Sequence, residues 1–347
     1  MPAVTDLSVL GWTADRAGQL PDDTAPARVA RVDRGRLTVL TGDGEVRVRP
    51  AGTLYDETGL ASPAVGDWVA LRGELAVAVL PRRSAFTRTG AGRDSAAQVV
   101  AANLDTVLVV DALAGATRLR RIERYLAVAW SSGATPAVVL TKADLCDDVA
   151  AAVQEVAEDA LGVEVRAVSS VTGQGLDGVR ELLGPGRTAA MVGPSGVGKS
   201  SLANALAGRP VAATRDIRDD GRGRHTTTHR ELHLLPRGGL LVDTPGMREL
   251  ALYDDVEGVQ AAYADVESLA LDCRFRDCGH RTEPGCAVAA AIDEGRLDPG
   301  RLIAWRKLQA EARRQLLRVD ARARAAEHAR RRAFFRSLRD LPTRQRW

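Results

Sequence analysis

Residues 193–200 read GPSGVGKS, with glycines at 193, 196 and 198 followed by Lys199 and Ser200. Glycines let successive backbone N–H groups converge on phosphate oxygens, and a helix starting just after them adds the positive end of its dipole. On this pattern Gly193, Pro194, Ser195, Gly196, Val197, Gly198, Lys199, Ser200 and Ser201 form a phosphate cradle. Lys199 is placed to reach the β- and γ-phosphates, and the Ser200 hydroxyl to ligate Mg²⁺. Further on, DTPG (243–246) offers Asp243 as a second magnesium ligand and Gly246 as an N–H donor to a γ-phosphate. The intervening GRGRHTTTHREL (221–232) contains Thr226, Thr227 and Thr228. Thr227 is expected to complete the magnesium shell, and His225 either to orient or polarise water or simply to hydrogen-bond its own loop or a partner. The catalytic candidates are therefore Lys199, His225, Thr227, Asp243 and Gly246.

Upstream of the cradle, TKAD places Thr141, Lys142, Ala143 and Asp144 after an apolar run. One carboxylate accepts two donors from one edge of guanine, a pair adenine does not present, so Asp144 is the candidate base selector. GTP and GDP are the expected ligands, and an ATPase reading is disfavoured. The Lys142 stem is expected to pack along the base plane. VSSVTGQG (168–175) adds Ser169 and Ser170, small residues whose amides suit a base carbonyl.

A second chemistry lies near the C-terminus. Cys273, Cys278, His280 and Cys286 fall within fourteen residues. Three thiolates and an imidazole make a closed tetrahedral set, the signature of one structural Zn²⁺ with no position open for water. Cys146 stands apart and is expected to be an ordinary half-buried thiol. His233 alternates with Leu232 and Leu234 and is expected on the solvent face of a strand.

Three kinds of element must position these residues. Runs at 28–32, 36–41, 44–50, 67–71 and 75–80 are short, β-branched and punctuated by Gly, Pro and Asp, which predicts a five-stranded barrel of OB-fold type. The Gly/Arg/Ser-rich stretch 88–96 reads as a linker. From 104 the pattern alternates strands and helices, as in a mostly parallel sheet, and each nucleotide motif sits at the carboxyl end of a predicted strand. RLRRIERYLAVAWSSG predicts an amphipathic helix ending at Gly133, with Ile122, Tyr125, Leu126 and Ala129 on one side. A helix is expected over 257–271 and a long one from 298, with Leu302, Trp305, Leu308, Ala312, Leu316 and Val319 along its apolar face. The predicted organisation is an N-terminal extension (1–27), an RNA-binding OB-fold (28–85), a P-loop α/β domain (94–253) and a zinc-binding, basic α-helical domain (254–347).

Composition is that of a folded multidomain chain: 347 residues, 45% hydrophobic and 27% charged. No secretory leader or membrane-spanning run is apparent, so a cytoplasmic monomer without membrane contact is expected. The net charge of +3 is unevenly spread. Residues 301–347 hold 15 Arg or Lys against 4 Asp or Glu, a local balance of +11 that leaves −8 on the rest. A basic tail on an acidic body points to a nucleic-acid partner.

The motif set resembles that of translation-factor GTPases, but its order is TKAD, SSV, GPSGVGKS, HTTT, DTPG, whereas the usual order begins with the phosphate loop. A permutation preserves such a site when the original termini were adjacent. With the preceding barrel, RRIERYL, GRHTTTHREL and the following CRFRDCGHRTEPGC, the chain resembles the bacterial ribosome-small-subunit-dependent GTPase A family (RsgA) from about residue 28 to 290. The resemblance implies GTP hydrolysis on the 30S subunit and 16S rRNA during late subunit maturation. A different class of reading is a GTP-gated rRNA-binding module whose hydrolysis is incidental. Two positions depart from the common pattern. Thr141 stands where the base-recognition motif usually has Asn. Met247 stands where many GTPases carry a water-orienting Gln, so slow intrinsic hydrolysis stimulated by the ribosome is expected.

Overall fold

The computed structural model describes residues 6–55, 60–89, 97–113, 119–160, 162–212, 230–243, 256–281 and 283–319, with 325, 329 and 332. It divides into two compact units, Met1–Ala251 and Leu252–Trp347.

The first unit begins with five strands: β1 (Ala25–Asp33), β2 (Arg36–Thr41), β3 (Gly44–Pro50), β4 (Trp68–Arg72) and β5 (Leu75–Val79). Their order is 1-2-3-5-4, and β4 pairs back onto β1 to close the barrel. Only the β3–β5 contact is parallel, which gives the predicted OB-type Greek-key barrel. Alternation along the strands drives closure: Ala27, Val29, Leu37, Val39, Val48, Val69, Leu71 and Ala76 point inward and form one core.

A hairpin of β6 (Ala85–Thr89) and β7 (Ala97–Ala102) follows. Arg88 and Thr89, expected in a linker, pair instead with Gln98 and Ala97. The nucleotide sheet then uses β8 (Thr106–Ala112), β9 (Thr135–Thr141), β10 (Glu164–Ala167), β11 (Thr188–Val192), β12 (Glu231–Leu234) and β13 (Leu240–Asp243). Its order is β10-β9-β8-β11-β13-β12, parallel except for β12. The strand leading to the phosphate loop, β11, is fourth in chain order yet lies inside the sheet between β8 and β13. That is how a permuted chain builds an ordinary doubly wound site. β12 in turn pairs with β1 through Arg31 and Glu231, so barrel and nucleotide sheet share one continuous eleven-stranded ladder.

Helices cover the sheet. After α1 (Ala14–Ala17) come α2 (Leu119–Ser131), α3 (Val149–Asp159), α4 (Leu176–Leu182) and α5 (Lys199–Ala207). Helix α2 buries Ile122, Leu126 and Ala129 as its periodicity predicts, whereas Tyr125 is half-exposed. It also buries Glu123, whose carboxylate is held at 2.7 Å by Arg120.

The second unit contains α6 (Val256–Ala262), α7 (Ala264–Leu271), α8 (Ala287–Asp293) and α9 (Pro299–Val319). The single helix expected over 257–271 breaks at Tyr263, which leaves helical backbone geometry and is fully buried. Arg301 of α9 lies over the Tyr263 ring and accounts for the break by binding both flanks: it donates to the Ala262 carbonyl and to Asp265. Leu302, Trp305, Leu308 and Ala312 are the buried face of α9.

Candidate nucleotide and metal sites

Strand β11 ends at Val192, and the chain turns at Gly193 into the loop that starts α5. A Cβ on Gly193 would lie 2.1 Å from the Val110 carbonyl oxygen, so only glycine allows the loop to leave the sheet so tightly. Gly198, with φ +96°, delivers the chain into the first turn of α5. Lys199 curls back over the loop, its Nζ donating to the carbonyls of Gly193 (2.7 Å) and Pro194 (2.6 Å). Ser195 and Gly196 are exposed, and Ser200 is half-exposed beside Lys199.

The TKAD segment leaves β9 two strands away. Thr141 is buried, its hydroxyl lying 3.1 Å from the Asp111 carbonyl and also against the Val197 carbonyl of the phosphate loop. Lys142 then adopts left-handed backbone (φ +60°), which turns Asp144 out to solvent. Ala143 is buried, and its N–H donates to the Val168 carbonyl, joining this segment to the next. There Ser169 is fully buried and committed to its own loop: its Oγ accepts from the N–H groups of Val171 (3.2 Å) and Thr172 (3.1 Å), and its N–H donates to Gln174. Ser170 beside it is half-exposed. Cys146 is half-buried, as expected.

Asp243 ends β13 beside β11. Burial, with the like charge of Glu231 directly opposite on β12, pushes its carboxyl up to about 6, against the pull of Lys199. His225, Thr226, Thr227, Thr228, Gly246 and Met247 lie outside the described residues.

His233 departs from expectation. Alternation placed it opposite Leu232, but both residues are buried, because β12 is flanked by β1 and β13 and its second face is also covered.

Two groupings have no local signature in the sequence. Asp111, at the end of β8, is almost fully buried and takes a bidentate pair from Arg121 of α2 at 2.7 and 2.8 Å. Arg28, in a barrel strand, is buried without a carboxylate in its hydrogen-bond set. It donates to the carbonyls of Gly66 (2.7 Å), Leu10 (2.6 Å) and Asn103 (3.0 Å), and to the Thr188 hydroxyl (3.0 Å) at the base of β11. The apolar neighbours of Arg28 in β1 hint at its burial but not at its partners, and Arg121 lies among charged residues that give no such hint.

In the second unit, Cys273, Cys278, His280 and Cys286 bring their ligand atoms within 4.8 Å of one another. His280 Nδ1 is 3.5 Å from the sulfurs of Cys273 and Cys286, which are 3.9 Å apart. A tetrahedron with bonds of about 2.3 Å to sulfur and about 2.0 Å to nitrogen has edges of about 3.8 and about 3.5 Å, so the set fits a four-coordinate zinc ion. Neighbours hold the ligands in place. His280 has left-handed backbone, lies 5.5 Å from the Trp305 ring, and its carbonyl accepts from Arg306. Trp305 in turn donates to Glu267 at 2.9 Å. Glu283 accepts the N–H groups of Gly279 and Arg281 on either side of His280.

Comparison with known proteins places this geometry among relatives. The family model described as RsgA GTPase matches residues 79–253. A Streptomyces coelicolor protein named small ribosomal subunit biogenesis GTPase RsgA is 46% identical over 331 residues, covering 92% of this chain and 90% of its own. A protein of the same name from Opitutus terrae is 43% identical over 356 residues, covering 96% and 97%. Among solved structures, YjeQ from Thermotoga maritima superposes with a TM-score of 0.64 at 26% identity, over 83% of this chain and 98% of that one. YloQ, described as a circularly permuted GTPase, shares the fold with a TM-score of 0.60 at 22% identity, over 85% and 96%.

Proposed function

The chain belongs to the RsgA GTPase family, and from that premise we propose how its residues bind GTP, hydrolyse it and tie hydrolysis to biogenesis of the small ribosomal subunit. The enzyme is a GTP hydrolase. The observation that carries the site assignment is that β9, β8 and β11 are adjacent, so that TKAD and the phosphate loop meet through Thr141 and Val197.

The backbone N–H groups of residues 195–201 wrap the phosphates, and Lys199 leaves its loop carbonyls to neutralise the β- and γ-oxygens. Ser200 and Asp243, with Thr227, form an all-oxygen donor set of the kind Mg²⁺ prefers, and the ion would add charge neutralisation at the phosphates. Gly246 donates to the γ-phosphate. Asp144 accepts the paired donors of guanine, Lys142 lies along the ring, and the Ser170 amide faces the base carbonyl on a loop shaped by Ser169. His225 orients water in the partner-bound state. Since Met247 cannot take that role, turnover without the partner is slow. The Cys273, Cys278, His280 and Cys286 site holds one structural zinc ion and takes no part in hydrolysis.

The partner is the 30S subunit through 16S rRNA, engaged by the OB-type barrel and the Arg-rich C-terminal segment. The protein works in the cytoplasm as a monomer. No helix among the described residues is long and apolar enough to cross a membrane. The deciding experiment is single- and multiple-turnover hydrolysis of GTP and ATP, alone and with purified 30S subunits, for the wild type and His225→Ala. Stimulation confined to GTP and lost in the variant, with 30S binding intact, supports the reading. Stimulated turnover within a few-fold of wild type in the variant would remove His225 from it.

A further inference from the structure

Where the barrel meets the nucleotide sheet, a cavity of about 210 Å³ opens between β1, β2 and β3 on one side and β12 with the segment after α5 on the other. Leu40 and Pro210 are among its apolar walls, and Glu45, Arg209, Glu231 and His233 supply its polar groups. His233 is only 8% exposed, yet among the described residues neither ring nitrogen has a hydrogen-bond partner. Glu231, half-buried beside it, likewise has no ion pair among the described residues. Buried polar groups are ordinarily satisfied, so a buried histidine without a partner, beside a half-buried carboxylate in one polar cavity, calls for an occupant.

The chemistry of the inner wall selects that occupant. Burial lowers the His233 pKa, and Arg209 adds to that against the opposing pull of Glu231, so the ring is neutral and keeps a lone pair to accept an N–H. Glu231 accepts only. Both groups therefore ask for a donor, and the carboxylate asks for a positive one. Glu45 adds a second negative charge at the rim. Arg209 offsets part of that charge, which leaves the carboxylates in excess by one. The volume equals that of roughly seven liquid waters at about 30 Å³ each, enough for a short aliphatic chain.

We propose that this cavity is a binding site for a primary ammonium or guanidinium group on an aliphatic stem, its N–H donors shared between Glu231 and His233. The source is a free aliphatic amine or the side chain of a basic partner residue, and the chemistry is the same. Glu231 stands directly opposite Asp243 across the β12–β13 ladder and opposite Arg31 across the β1–β12 contact. A cation seated on Glu231 thus changes the charge beside Asp243 from the barrel side. That consequence rests on the nucleotide assignment above, whereas binding itself does not.

The test is isothermal titration of the full chain, free of nucleotide and at fixed ionic strength, with putrescine, agmatine, and N-acetyl-arginine amide as the mimic of a partner's side chain. Saturable one-to-one binding is expected, weakened at least tenfold in Glu231→Gln. Hexamethonium, a chain with a trimethylammonium head at each end and no N–H, needs no variant and should bind the wild type at least tenfold more weakly than putrescine. A preference for the capped arginine points to a partner residue and for the amines to a free ligand; both support the site. No saturable heat for any probe at 10 mM (roughly −2.7 kcal/mol or weaker by the usual affinity relation) overturns the proposal. So does equal binding in Glu231→Gln, or hexamethonium binding as well as putrescine.

Discussion

The Thr141 hydroxyl sits between two carbonyls from different parts of the chain, Asp111 at the end of β8 and Val197 inside the phosphate loop, 56 residues away in sequence. One hydroxyl thereby ties the TKAD segment to the 193–200 loop. A larger amide in its place would add a second donor, so the threonine version of this tie is the weaker one. Thr141→Ala leaves both carbonyls buried without this partner, at a cost of about 1–3 kcal/mol. Nucleotide dissociation should accelerate about five- to fiftyfold in Thr141→Ala, with a measurable drop in urea midpoint. Thr141→Asn should equal or exceed wild-type affinity. Unchanged GDP release from the alanine variant, measured with a fluorescent analogue, would show that the tie plays no part in nucleotide retention.

Asp243 makes the site sensitive to acid. Its carboxyl titrates near 6 in the folded chain, above the ordinary value of 3.8. The folded state therefore binds more protons than the unfolded state between these limits. The favourable contribution is present below about pH 4 and is lost as pH rises through about 6. The magnesium role proposed for Asp243 needs the charged form, so on that proposal the Mg²⁺ concentration for half-maximal GTP binding should rise as pH falls below 6. Asp243→Asn should flatten the stability slope between pH 4 and 6. Equal slopes in the two proteins would contradict the assigned shift.

Cys278→Ser, or prolonged chelation, should strip the metal and unfold the second unit while guanine-nucleotide binding by the first persists. In small modules structural zinc supplies about 10 kcal/mol or more of folding free energy. Elemental analysis of the purified protein should give one zinc per chain, and near-ultraviolet dichroism should lose its Trp305 contribution in the variant. A metal-free protein with a native spectrum would refute the site.

The basic C-terminal region cannot be removed as one piece. Arg301, Leu302, Trp305, Leu308 and Ala312 are buried in the second unit, so truncation at 301 would destroy the fold that holds the zinc ligands. Truncation after Val319 spares them and still removes nine arginines against three acidic residues. The shortened protein should bind 30S subunits more weakly and with a shallower dependence on salt, since fewer phosphate contacts release fewer counterions. Sedimentation at 50 and 200 mM salt measures both. An identical slope would exclude the tail from rRNA contact.

Much of this protein is written in contiguous stretches. The phosphate loop, TKAD and the Cys/His cluster carry their chemistry in a few adjacent residues. Barrel strands and amphipathic helices carry theirs in short periods, so sequence alone determined their type and near-correct limits. It also determined the permuted order of the motifs, and hence the family. Long-range burial had no such signature. Alternation separates the faces of β12 but cannot say that both are covered, which is why His233 was misplaced. Only the tertiary structure brought Arg28 to Thr188 across 160 residues and Thr141 to Val197. The cause is physical: a side chain's hydrogen-bond partners are set by which strands lie side by side, and in a permuted sheet chain order does not state that order.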